Sequence, residues 1–208
     1  MERLVFIAFG DSLTVGHHSP TIDDPLPTPY TWILQRRTEN TPGLQVEFVS
    51  KGVSGQVTEE MLTRFEVDVI DAQPDAVIIL GGSNDLGWGI ERKEILGNLV
   101  EMYDHAQEHG IRPVACTVPS VLGWDEGIKP RLELNRLIEE YCERNGIICV
   151  DLFSATCDSD MRLKEEYSDD GLHLTSLGYQ AMADAIFSGA VKEIVEKRLR
   201  DKGVGASR

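Results

Sequence analysis

The sequence predicts an open α/β fold in which a parallel sheet lies between two layers of helices. Three observations carry that expectation. Five short apolar runs rich in β-branched residues alternate along the chain with segments of helical spacing, and each run is bounded by Gly, Pro or polar residues. The third is size: 208 residues, 41% hydrophobic and 26% charged, suffice for one buried core and exclude a disordered chain.

The strands are expected at 3–9 (RLVFIAF), 45–50 (QVEFVS), 75–80 (DAVIIL), 112–118 (RPVACTV) and 146–152 (GIICVDL). Their apolar runs suit strands covered on both faces. Helical spacing occupies 28–40, 58–72, 92–109, 130–145 and about 175–200. Five βα repeats with right-handed crossovers give a three-layer α/β/α sandwich with the flavodoxin-like strand order 2-1-3-4-5. Residues 1–200 read as a single domain and 201–208, DKGVGASR, as a polar tail.

A formal charge of −15 disfavours nucleic acid and anionic lipid as partners. No run reaches the roughly 18 apolar residues of a membrane helix, and MERLVFIAFGDS lacks the pattern of a secretory leader, so no membrane insertion and a cytoplasmic location are expected. Cys116, Cys142, Cys149 and Cys157 lack CxxC spacing and read as reduced structural thiols; no metal or cofactor is expected.

Sheets of this kind bind ligands beyond the carboxyl ends of their strands. There the chain delivers GDSLT (10–14), KGVSGQ (51–56), GGSNDLGWG (81–89), PSVLGWDEG (119–127) and a loop ending in DDGLHL (169–174). Ser12 becomes a nucleophile only if a base accepts its proton and a third group orients that base. His17 and His18 follow it by five and six residues, about 7.5 to 9 Å along a helix, and make poor bases unless a loop returns them. His105 and His109 read as residues near the end of a helix. His173 differs: Asp170 precedes it by three residues across Gly171, so the carboxylate can fold onto Nδ1 and leave Nε2 for Ser12. The structural alternative is an Asx turn at Asp170 with His173 capping a helix near Thr175, and Asp169 is a second candidate orienter.

Candidate oxyanion donors are the backbone N–H groups of Ser12 and Gly55 and the side-chain amide of Asn84, although glycine turns and an N-cap would use the same residues. Candidate pocket residues are Asp11, Leu86, Trp88, Val121, Trp124 and Leu172, with Ile90 and Leu122 beside them. The Pro-rich segment HHSPTIDDPLPTPY is a candidate flap anchored by Tyr30 or Trp32, or a passive surface loop.

In this order and at this spacing, GDSLT with Ser12, GVSG with Gly55, GGSND with Asn84 and DGLH with Asp170 and His173 resemble the SGNH or GDSL hydrolases over about residues 5–185. The resemblance implies a flavodoxin-like α/β/α fold and serine ester hydrolysis without a metal. It also implies a triad of Ser12, His173 and Asp170 with oxyanion donors Ser12, Gly55 and Asn84. Ser50 and Lys51 stand where many relatives carry an asparagine. GDSLT, GVSGQ and GGSND all lack the G-x-S-x-G of an α/β-hydrolase.

The expected function is hydrolysis of small carboxylic esters, such as short acyl esters of carbohydrates or lipids, through an acyl-enzyme. Thioesterase or lysophospholipase activity is the alternative within the class, and a non-catalytic sugar- or nucleotide-binding protein the alternative outside it. A small-molecule ester is the expected partner. The long last helix suits either a homo-oligomer contact or a cover for the sheet.

Overall fold

The computed structural model describes residues 2–17 and 28–201. His18, most of the candidate flap and residues 202–208 lie outside the described residues. The sheet comprises β1 (Glu2–Gly10), β2 (Leu44–Gly52), β3 (Ala76–Leu80), β4 (Arg112–Cys116) and β5 (Ile148–Val150), all parallel, in the order β2-β1-β3-β4-β5. The flanking helices are α1 (Ser12–Val15), α2 (Tyr30–Thr38), α3 (Thr58–Phe65), α4 (Ser83–Trp88), α5 (Arg92–Glu108), α6 (Ile128–Asn145), α7 (Leu152–Thr156), α8 (Ser176–Ile186) and α9 (Lys192–Asp201).

Alternation within the strands divides the core into two. Leu4, Phe6 and Ala8 of β1 join Ile78 of β3 and Val114 of β4 in a cluster with Leu34 of α2, Met182 and Ile186 of α8 and Ile194 of α9. Ile7 and Phe9 face the other way and pack with Val77 and Ile79, Met61 and Phe65 of α3, Leu99 and Met102 of α5, and Leu134 and Ile138 of α6. Successive side chains of a strand point to opposite faces, so an unbroken apolar run must be covered twice. Burying each Phe contributes about 2–3 kcal/mol.

Two expected helices are interrupted. A π-helical turn over Glu66–Ile70 prolongs α3, and another over Phe187–Val191 joins α8 to α9. The fourth strand ends at Cys116, two residues before the expected 118, because the Asn135 side chain of α6 takes both backbone groups of Val118: Val118 N–H donates to Oδ1 at 2.7 Å and Nδ2 donates to Val118 O at 2.9 Å. No described helix is long and apolar enough to cross a membrane.

This order places β1 between β2 and β3, so the chain leaves β1 toward one side of the sheet and returns to the other. The loops after β1 and β3 diverge there and open the crevice in which such sheets bind ligands.

Candidate active site

The GDSLT segment leaves β1 as a single helical turn. Asp11 caps it, its side chain accepting from Leu13 N–H at 2.9 Å. The amides of Gly16 and His17 both donate to Ser12 O, so the chain folds back after one turn instead of advancing along a helix. His17 is therefore not carried away along a helix: its ring packs edge-on against His173, with centroids 4.6 Å apart, while Tyr179 Oη donates to its carbonyl at 2.6 Å. Tyr30 is fully buried with its Oη 3.3 Å from Thr14 Oγ1, whereas Trp32 is more than half exposed, so of the two candidate anchors Tyr30 is the one packed at the site.

His173 arrives on a tightly knitted turn. Asp170 Oδ1 accepts from the amides of Leu172 (2.9 Å) and His173 (2.8 Å), and Oδ2 lies 2.7 Å from His173 Nδ1. The Asx turn and the carboxylate–imidazole contact thus coexist, one on each oxygen. Ser168 locks the turn, its Oγ accepting from Gly171 N–H at 2.9 Å and donating to His173 O at 2.7 Å. Gly171 itself has φ +86°, and a Cβ there would stand 2.2 Å from Leu122 O. Thr175, not His173, caps α8. Asp169 is exposed, and its side chain makes none of these contacts.

Burial works to raise the Asp170 pKa, but the hydrogen bonds from His173 and the two amides outweigh it and hold the carboxyl below its usual range. An ionised carboxylate only accepts, so Nδ1 carries the imidazole proton. Nε2 is then the acceptor in the neutral ring, and it lies 3.0 Å from Ser12 Oγ.

Three loops are laced together beneath the serine. Val53 N–H donates to Gly10 O at 3.0 Å, which seats the GVSGQ turn on the end of β1. Asn84 Nδ2 donates to Gln56 O at 2.8 Å and makes a longer contact, 3.4 Å, with Asp11 Oδ2. Arg64 of α3 binds Gly10 O, Lys51 O and Gln56 Oε1 at 3.0, 2.9 and 2.6 Å, with its guanidinium 4.0 Å above the Phe9 ring. Ser50 Oγ donates to Thr14 O and Lys51 Nζ pairs with Asp68, so this chain supports its second loop through Arg64, Ser50 and Lys51. Gly55 has φ +81°, and among the described residues no acceptor meets its N–H or that of Ser12.

A cavity of about 420 Å³ reaches Asp170, lined by Ser83, Asn84, Gly87, Trp88, Val121, Leu122, Trp124, Arg131, Asp170, Gly171 and Leu172. Trp88, Val121, Trp124 and Leu172 lie where the sequence places them. Asp11 and Leu86 do not line this cavity: Asp11 is sealed beneath α1 as its cap, and Leu86 is 7% exposed and faces, with Ile90, a groove of about 600 Å³ between α4, α5 and α6. That larger groove contains none of Ser12, Asp170 or His173, so size alone does not locate the chemistry. Arg131, Ser168 and Arg64 are the residues that sequence reading missed. Arg131 left a signal, since it falls on the same helical stripe as Leu134, Ile138 and Cys142, where a charge is out of pattern. His105 in the last turn of α5 and His109 at its C-cap pack on each other, away from this site. Among the described residues, no group of three His, Cys, Asp or Glu side chains is placed to hold a metal ion.

The fold and sequence have known counterparts. A GDSL-like lipase from Bacteroides thetaiotaomicron superposes with a TM-score of 0.72 and 25% identity over 95% of this chain and 89% of its own. The acetylxylan esterase Axe2 of Geobacillus stearothermophilus shares the fold with a TM-score of 0.75 and 21% identity over 90% and 93% of the two chains. A curated relative, an uncharacterized lipoprotein of Bacillus subtilis, is 32% identical over 124 residues, 56% of this chain; the chain thus matches about half (49%) of that relative's length. The family model for GDSL-like lipases and acylhydrolases matches residues 8–181, a span that holds all four motifs, and the chain belongs to that family.

Proposed function

We propose that the chain is an SGNH-type serine esterase acting on small carboxylic esters with short acyl groups. The observation that carries the reading is the relay from Asp170 Oδ2 through the His173 ring to Ser12 Oγ, with contacts of 2.7 and 3.0 Å, beside backbone donors that meet no acceptor among the described residues.

Ser12 Oγ attacks the ester carbonyl while His173 Nε2 takes its proton, and Asp170 holds the ring in the tautomer that can accept. The negative oxygen of the tetrahedral intermediate is received by the N–H groups of Ser12 and Gly55 and by Asn84. One Asn84 hydrogen is held by Gln56 O; the other makes only the 3.4 Å contact to Asp11, long enough for it to turn to the oxyanion. Each such donor is worth about 100- to 1,000-fold in rate. The imidazolium gives its proton to the departing alkoxide, leaving an acyl-Ser12 ester. Water, deprotonated by the same Nε2, releases the acid and restores Ser12. A cavity of about 420 Å³ suits a small acyl or alcohol group.

The test is hydrolysis of p-nitrophenyl esters from acetyl to dodecanoyl by the wild type and Ser12→Ala. The expected result is turnover favouring short chains, reduced about 10⁴-fold or more in the folded variant. Equal activity of the two proteins would remove Ser12 from the mechanism.

A further inference from the structure

Arg131 of α6 lines the cavity beside the triad and is 1% exposed. Its guanidinium is only partly used. Nη1 donates to Gly127 O at 3.1 Å, Nη2 makes a long contact of 3.3 Å with Ser83 Oγ, and Nε, though buried, meets no acceptor among the described residues. No described carboxylate pairs with it either: burial alone acts on its pKa, bringing it down to about 10, so it is still a cation at neutral pH. Other arginines of the chain do hold carboxylates, Arg3, Arg64, Arg162 and Arg198 among them.

Taking an unpaired cation out of water is costly. The Trp124 ring, 5.4 Å from the guanidinium carbon, and the two hydrogen bonds return only part of that cost. Fold stability therefore leaves much of the cost of this cation uncovered. The under-used edge is Nε with Nη2, the two parallel donors that a carboxylate accepts bidentately. It belongs to a residue of the cavity wall that Asn84 and Asp170 also line.

We propose that Arg131 recognises a carboxylate on the substrate, so that the esters this site takes carry an acid group in the part that enters the cavity between Trp88 and Trp124. This deepens the serine-esterase reading and rests on it. The acidic surface does not oppose such a ligand at close range: exposed charges are screened beyond about 8 Å at physiological salt, whereas a buried guanidinium is not. Asp170, the carboxylate in the wall, is already held by three donors and faces His173.

Two matched ester pairs test this in a pH-stat: monomethyl adipate against methyl hexanoate, with the acid on the acyl side, and 4-acetoxybutanoate against pentyl acetate, with the acid on the alcohol side. The wild type is expected to favour the charged member of at least one pair by tenfold or more in kcat/KM. That ratio should fall at least tenfold in Arg131→Met and less in Arg131→Lys, which keeps a point charge without the fork. Equal or reversed preference in both pairs, or a preference that survives Arg131→Met, overturns the proposal. Should Arg131→Met fail to fold, or should every ester resist hydrolysis, tryptophan fluorescence of the intact Ser12→Ala protein decides. A saturable change with adipate and none with 1,6-hexanediol supports carboxylate recognition; the same response to both, or to neither, overturns it. Loss of the serine mechanism reads out separately, as equal turnover of the neutral esters by wild type and Ser12→Ala.

Discussion

Asp11 and Asp170 flank the Ser12–His173 pair and live under opposite electrostatic conditions. Asp170 sits on a turn that supplies two amides and an imidazole N–H, with a third of its side chain in solvent, and its pKa is held down. Asp11 is 1% exposed, with one amide, a 3.4 Å contact from Asn84 and the buried Asp85 nearby. Burial pushes its pKa up to about 6 against the pull of the Leu13 amide and His173. The difference teaches that proximity to the reacting atoms does not make a carboxylate an orienter. The donors around it set how readily it ionises, and it is Asp170 whose oxygen lies on Nδ1, where it can fix the tautomer of His173.

The largest effect should come from Asp170→Asn, which keeps the turn but can present the wrong partner to Nδ1. We expect kcat for a p-nitrophenyl ester to fall about 10³- to 10⁴-fold with the fold intact by circular dichroism. A loss smaller than tenfold would erase the distinction between the two aspartates.

Next in size is Asp11→Asn, read as stability. A carboxyl whose folded pKa is raised contributes fully below its unfolded value, near 3.8, and loses that contribution as pH rises through about 6. The gap of about two units corresponds to about 3 kcal/mol. The Asn variant, which cannot ionise, should match the wild type in urea unfolding at pH 4 and exceed it by up to about 3 kcal/mol at pH 8. A constant difference across that range would mean that Asp11 does not titrate as its burial dictates. The Asp170 contribution runs the other way: it is present above the unfolded value and lost as pH falls through the lowered folded pKa.

The smallest effect separates charge from backbone strain. Gly55→Ala alters no charge, and its Cβ would meet nothing within 4 Å, so the cost is that of a left-handed alanine at φ +81°, about 1–2 kcal/mol. A thermal melt should show that loss alone, and the rate should drop only as far as the Gly55 amide shifts. If kcat for a p-nitrophenyl ester stays at the wild-type value while the melt moves, the alanine has kept the amide in place; a melt that does not move would mean that position 55 carries no left-handed strain.

The β-strands were legible because a parallel strand covered on both faces writes itself as a continuous apolar run, and all five lie within about two residues of their expected limits. Their ends were less so, since β4 is stopped by a side chain, Asn135, from another part of the chain. The π-helical turns were invisible because one extra residue per turn hardly disturbs an apolar stripe. At the site, Ser12, Asp170 and His173 were readable because two short segments hold all three. The position of His17 was not, because a projected helical rise assumes a helix longer than the single turn that forms. The cavity wall was readable where it is aromatic and missed where it is charged: Arg131 looks like an ordinary exposed helix residue unless its place on the apolar stripe is noticed.

The lacing of Gly10, Val53, Gln56, Asn84 and Arg64 draws the reacting groups onto the strand ends, while Trp88, Leu122, Trp124 and Leu172 stand on the segments around them. The molecule is divided into a fixed chassis and interchangeable panels. A library varied at Trp88, Trp124 and Leu172, sparing Leu122 because it packs against the core, would change which molecules are admitted and keep the frame in place, so variants that lose one ester should remain ready to gain another.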